Sequence, residues 1–205
     1  MYACTLAPST LNGCSGRLSV GGDSAMQDVA NEDGMSEIAQ QFLAGVLAHI
    51  PAMEALCAPT ESCYSRHGNW APKVADWNID DRSRCVRVKS SKEEGYNCYM
   101  ELRLPSACAC PYLIVSALVA AGLDGLKKKL PLPPKKDDRA TAVPTSLEEA
   151  LTALENDAVM TEALGETLVR WYTGVKRQEM AYVAGKIKGG TSMTEAMQDT
   201  FVEFV

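Results

Sequence analysis

No stretch of these 205 residues stays apolar for the ~18 consecutive positions that a membrane-crossing helix needs, so no span through a bilayer is expected. The longest apolar run, Pro111 to Leu123, is interrupted by Ser116 and Gly122 and followed by Lys127, Lys128 and Lys129, the pattern of a buried helix. Positive charge is not in excess either. The net charge is −6 and the sequence pI near 5.0, which argues against a general nucleic-acid binder. Met1 to Gly22 holds one basic residue, Arg17, and lacks the charged-then-apolar order of a signal peptide. No Cys-x-x-Cys clip of the structural-zinc kind occurs, although there are eight cysteines, at 4, 14, 57, 63, 85, 98, 108 and 110. With no secretory signal they read as reduced thiols of a cytoplasmic protein, several of them small core residues. Cys108 and Cys110 flank one alanine, too close for an easy disulfide with each other. There is no internal repeat.

What is present is ordinary globular material. Hydrophobic residues make up 46%, which speaks against wholesale disorder, and a chain of this length suits one domain, burying roughly 70% of its extended surface. A short alternation around Arg17 to Val20 predicts a strand. Ser36 opens a helix carrying Ile38, Phe42, Val46, Leu47 and Ile50 at helical spacing, expected to stop at Pro51, with a second short helix over Met53 to Cys57. Ser65 to Asp81 reads as irregular. Arg84 to Lys89 and Asn97 to Leu104 alternate with period two around a turn-like link, Ser90 to Gly95. In the second strand Cys98, Met100, Leu102 and Leu104 take one face and Asn97, Tyr99, Glu101 and Arg103 the other. From Pro111 onward the chain reads as helical. Pro111 sits at a first helical turn, Ser146 with Glu149 forms a capping box, and Gly165 separates two helices. A long helix is expected to end near Val183, where Gly185 to Gly190 break it, and Ser192 with Glu195 opens a last one.

The segment Cys110-Pro-Tyr-Leu-Ile-Val-Ser-Ala-Leu-Val-Ala-Ala-Gly-Leu-Asp-Gly-Leu126 and the following Lys-Leu-Pro-Leu-Pro at 129 to 133 resemble glutamine synthetase. Further similarity lies in Ser146-Leu-Glu-Glu-Ala-Leu151, Ala163-Leu-Gly-Glu166, Val175-Lys-Arg177, Met35-Ser-Glu-Ile38, Phe42-Leu-Ala-Gly45 and His49. The resemblance runs in register from about Gly13 to Glu179. Around Ala55-Leu-Cys-Ala-Pro-Thr60 it is most similar to the lengsin-like members, which are regarded as non-catalytic. It implies an α+β fold: the C-terminal half of a glutamine-synthetase-type catalytic domain, with antiparallel strands backed by helices and a helical C-terminal half. Residues 1–22 then form a poorly defined N-terminal segment and 23–205 the catalytic-domain portion.

That family forms a γ-glutamyl phosphate from glutamate and ATP, which ammonia attacks. The reaction uses Mg or Mn to neutralise phosphate, arginines to stabilise the transferred phosphoryl group, and a carboxylate as base. The resemblance assigns Arg66 to substrate glutamate, Arg82 and Arg87 to the phosphate side, Arg103 to substrate or phosphoryl, and Glu101 to a metal. Other roles are lost. Gly68-Asn-Trp-Ala-Pro72 falls where the family has Gly-Tyr-Glu-Ala-Pro, so Trp70 replaces the base, and an indole N–H accepts no proton. Ser15 and Arg17 stand where the family has a His-x-His. The remaining metal carboxylates, and a small β-grasp domain that completes a neighbour's active site, belong to a segment that precedes this one in the family. Glu101 alone will not hold two metals, so no cofactor is expected for this chain.

The arginine-bearing hairpin has a plainer reading. Between Arg66 and Arg103 eight Lys or Arg face six Asp or Glu, enough for internal pairing to absorb most of the charge. His49 reads as a structural histidine at a helix end, His67 as exposed, and Trp70, Trp77 and Trp171 as packing residues. Lys127 to Lys129 reads as a helix C-terminus favoured by the dipole. The functional expectation is a cytoplasmic, non-catalytic structural or interaction module with a residual arginine-lined anion and ATP site. It would self-associate or bind a protein partner, with no nucleic acid and no membrane. A half-barrel would leave a sheet edge unpaired and Leu102 and Leu104 partly covered. The competing reading is a portion of an ATP-dependent glutamate–ammonia ligase, or another carboxylate–amine ligase, completed by a longer parent chain or a partner.

Overall fold

Ser36 caps the first long helix: its hydroxyl accepts from the Ala39 N–H at 3.1 Å and donates to the Ala25 carbonyl at 2.6 Å. In the computed structural model, which describes residues 4–8, 16–20, 25–90, 98–137 and 139–201, this helix, α1, runs Glu37–Cys57. It passes straight through Pro51, contrary to the expected stop. Proline removes one backbone donor, and here the apolar face on either side of it outweighs that loss, with Ile50, Ala52, Met53 and Ala55 all buried. The two expected helices are therefore one.

Five strands form one sheet among the described residues: β1 (Cys4–Pro8), β2 (Gly16–Val20), β3 (Trp77–Ile79), β4 (Val86–Lys89) and β5 (Tyr99–Leu102), in the order β1-β2-β5-β4-β3. The expected antiparallel β4–β5 pair is present, with Val86 opposite Leu102, Arg87 opposite Glu101 and Val88 opposite Met100. Its link lies outside the described residues. Three features were not expected. β3 pairs parallel to β4 inside the stretch read as irregular, and a 3₁₀ helix, Glu61–Arg66, precedes it. β2 pairs antiparallel with β5, placing Arg17 opposite Glu101.

Alternation sorts the β4–β5 side chains. Val86, Val88, Met100, Leu102 and Leu104 are buried and pack against α1 and α2 (Pro111–Lys128). Leu102 and Leu104 are 3% and 0% exposed, so the expectation that they would be partly bare is wrong: the helices of the same chain cover them. Arg87, Glu101 and Arg103 take the opposite face. The α1–α2 crossing is close because glycines meet there. A Cβ on Gly45 would lie 2.6 Å from the Gly125 nitrogen, and one on Gly125 would lie 2.7 Å from the Gly45 Cα. This explains why the Ala-Ala-Gly-Leu-Asp-Gly segment has its glycines where it does. α2 starts with Pro111 at its first turn and ends at Lys129 in a left-handed conformation. It is buried along one stripe rather than on most sides, with Tyr112 and Leu123 exposed.

The C-terminal part comprises α3 (Leu147–Asn156), α4 (Ala158–Leu164), α5 (Glu166–Lys188) and α6 (Met193–Phe201). Ser146 and Ser192 cap α3 and α6 as expected. α5 continues through Gly185 to Lys188. A glycine inside a helix costs only about 1 kcal/mol relative to alanine, so a single one does not end it. No described helix is long and apolar enough to cross a membrane.

Candidate functional site

β4 and β5 place Arg87 and Glu101 directly opposite each other, and Arg103 two residues along on the same face. The expected juxtaposition is therefore present, and the carboxylate is shared unequally. Arg87 Nη1 donates to Glu101 Oε2 at 3.1 Å, whereas Arg103 Nε approaches Glu101 Oε1 only to 3.9 Å. Arg87 is further held by Asp80, to which its Nε donates at 2.8 Å, and Lys89 reaches the same Asp80 oxygen at 2.7 Å. Burial opposes the Arg87 charge, but bonds to Asp80 and Glu101 outweigh it and raise its pKa. Arg103 goes the other way. Burial, with help from the cationic neighbours Arg82 and Arg87, lowers its pKa against the pull of Glu101. Two guanidinium groups thus flank one carboxylate on the same face of the sheet, and only Arg87 is well paired.

Arg103 opens with Arg82 into a cavity of about 240 Å³ whose wall also includes Trp70, Lys73 and Ser83. Arg82 rides on a turn fixed by Asp81, which accepts from the Ser83 N–H at 2.9 Å, the Ser83 hydroxyl at 2.6 Å and the Asn78 amide at 3.1 Å. These donors hold the Asp81 carboxyl well below the usual range. Among the described residues Arg82 makes no ion pair. Arg66 is not in this cavity. It donates to the Leu104 carbonyl at 3.2 Å and lines an adjoining hollow of about 550 Å³ with Ser62, Cys63, Ser106 and Cys108. Trp70 borders both. At 80% exposure it is a rim residue, not the packing residue expected; Trp171, 65% exposed on the C-terminal long helix, does not pack into the core either. Trp77 does pack, its indole donating to the Pro133 carbonyl at 2.8 Å.

Both histidines found partners that sequence spacing did not reveal. His67, expected exposed, is half-buried, its imidazole largely covered and its Nε2 2.9 Å from Glu54 Oε1. Burial raises the pKa of Glu54, although His67 and Arg66 oppose the shift. His49, expected at a helix end, lies within α1 between Asp157 at 2.6 Å and Asp124 at 3.2 Å. Lys73, Asp80, Ser83 and Ser106 were also missed as cavity or pairing residues. Their spacing carries no signal unless β3 and the turns on either side of it are recognised.

A divalent cation does not fit the described residues. No group of three His, Cys, Asp or Glu side chains among them is placed to hold one, and Glu101 already faces two guanidinium groups. Ser15 lies outside the described residues, and the backbone register sets position 17 opposite Glu101.

The glutamine synthetase catalytic domain matches residues 14–191. Lengsin of the dog is 33% identical over 177 residues, covering 80% of this chain and 29% of lengsin. Glutamine synthetase of the archaeon Halobacterium salinarum is 35% identical over 175 residues, covering 78% of this chain and 38% of the enzyme. A solved complex of GmaS with ADP superposes with a TM-score of 0.75 at 28% identity, over 97% of this chain and 49% of that one. The chain spans well under half the length of these curated relatives. In sequence and fold alike, it belongs to the glutamine synthetase family, as a C-terminal catalytic-domain segment similar to lengsin.

Proposed function

We propose that this chain is a glutamine-synthetase-family module that does not make glutamine and keeps an arginine-lined site for a phosphate-bearing anion. One observation carries the reading. Arg103 and Arg82 face a common cavity while Glu101, the carboxylate beside Arg103 on β5, is claimed by Arg87. An anion seated there relieves the repulsion between guanidinium groups and accepts charge-assisted, paired hydrogen bonds. Arg66 in the adjoining hollow supplies a second anchor for a carboxylate. The base position is Trp70, whose indole cannot take a proton from ammonium, and the metal positions carry Arg17 and Ser15. The module binds without a metal cofactor and works as a structural or interaction partner, self-association included.

The ligase reading is supported by similarity to the archaeal synthetase that is as high as that to lengsin, and by the small share of either relative that the chain spans. In that reading a further portion supplies the metal carboxylates. Purified chain is incubated with glutamate, ATP and ammonium in magnesium or manganese, and glutamine is measured. The proposal expects none. Turnover that Arg103→Ala abolishes would establish the ligase reading.

A further inference from the structure

We propose that Cys63 and Cys108 form an oxidisable dithiol at the wall of the Arg66 hollow, a modification site that a peroxide converts to an intramolecular disulfide. The two thiols come from different elements. Cys63 sits on the 3₁₀ helix that carries Arg66, and Cys108 at the outer end of a turn closed by the Ala109 N–H on the Ser106 carbonyl at 3.2 Å. That turn is tied back by the Ser106 N–H on the Cys57 carbonyl at 2.8 Å and by the Cys63 thiol on the Ser106 hydroxyl at 3.3 Å. Cys108 thereby neighbours Cys63, and both residues line the 550 Å³ hollow.

Among the described residues, access separates this pair from the other cysteines. Cys108 is exposed and Cys63 opens onto the hollow, so an oxidant meets one thiol with the second beside it. Cys57 and Cys85, also mutual neighbours, are both fully buried. Cys110 is exposed but lies on the far side of Ala109, where a bond to Cys108 would strain the chain. Burial and the neighbouring Cys63 raise the Cys108 pKa, with Arg66 and Lys176 opposing, so Cys108 rests as a thiol until oxidised.

The chemistry balances. Peroxide takes up the two electrons and two protons that the thiols lose, giving two waters and one S–S bond. Thiolate attack on peroxide gives a sulfenic acid at Cys108, and Cys63 then displaces water from it. The product staples the 106–109 turn to the helix that carries Arg66.

The test is thiol counting on the whole folded chain. It is treated with hydrogen peroxide, then denatured and labelled with N-ethylmaleimide. Eight labels are expected before oxidation, and two fewer after it. A dithiothreitol-reversible peptide joining Cys63 to Cys108 should appear. Cys108→Ser, an exposed and nearly isosteric change, should abolish the loss, while Cys110→Ser should leave it intact. A full set of labels, a bond involving Cys110, a cross-link between two chains, or sulfinic acid at Cys108 without a disulfide would each overturn the proposal.

Discussion

His49 should act as a charge-dependent clamp joining three helices. It rises from α1 to meet Asp124 of α2, at 3.2 Å, and Asp157 at the α3–α4 junction, at 2.6 Å. Lys128 also reaches Asp124, at 2.9 Å, and Asp157 caps α4 by accepting the Met160 N–H at 3.0 Å. The side chains of His49, Asp124 and Asp157 are 11%, 10% and 16% exposed, so solvent screens them little. The bond to Asp157, against burial and with help from Asp124, raises the His49 pKa; both carboxyls are lowered, His49 and their other partners outweighing burial. The signs fix the pH window. A raised histidine contributes fully below its unfolded value of about 6.5 and loses the contribution as pH climbs through the folded value. The lowered carboxyls contribute above about 3.9 and lose it as pH falls through theirs. The clamp is therefore strongest between roughly pH 4 and 6.5 and weakens above.

His49→Gln keeps one hydrogen bond and removes the charge. At pH 5.5 it should cost about 2 kcal/mol, the worth of a charge-assisted bond, or roughly 4–8 °C in Tm for a chain this size. By pH 9 the difference from wild type should fall to about 1 kcal/mol or less, because the wild-type imidazole is then neutral too. Urea unfolding of both proteins at pH 5.5, 7 and 9 measures this. A difference that is constant across that range, or that grows with pH, would refute the argument.

The glycine crossing gives a second expectation. Gly45→Ala should destabilise by about 3 kcal/mol in thermal unfolding, since the new methyl group meets α2 backbone that cannot give. Gly174→Ala, with nothing within 4 Å, should instead stabilise α5 by about 0.5–1 kcal/mol. A third concerns association. Leu168, Trp171, Val175 and Tyr182 recur at three-, four- and seven-residue spacing along α5 and are all exposed. Sedimentation should show self-association at micromolar concentration that Trp171→Glu weakens about tenfold or more, from the loss of one buried aromatic; a monomer at all concentrations would remove that part of the proposal.

The paired face of β4 and β5 was legible because period-two alternation dictates it. Once Leu102 must be buried, Glu101 and Arg103 have nowhere else to point. The long helices were legible from their apolar spacing, but their ends were less so. Pro51 and Gly185 are breakers only when no tertiary packing overrides them, and packing is not visible locally. Least legible were contacts between residues far apart in sequence. Asp157 lies 108 residues from His49, and nothing near either residue signals the pair. Trp70 and Trp77 are seven residues apart and chemically identical, yet one lines a cavity rim and the other fills the core. Only the three-residue strand β3, too short to show an alternation, separates their fates. The family resemblance located the arginines, but that Arg66 and Arg103 line different hollows emerged only from the folded chain.

The central claim, an inherited anion site that works without a metal, is tested most directly by titrating the chain with ADP, the ligand of the GmaS relative, by calorimetry with and without magnesium. The account predicts weak binding that magnesium does not strengthen and that Arg103→Ala reduces tenfold or more, the worth of one charge-assisted contact at about 1.4 kcal/mol. No heat of binding, binding that needs magnesium, or binding that Arg103→Ala leaves unchanged would contradict it.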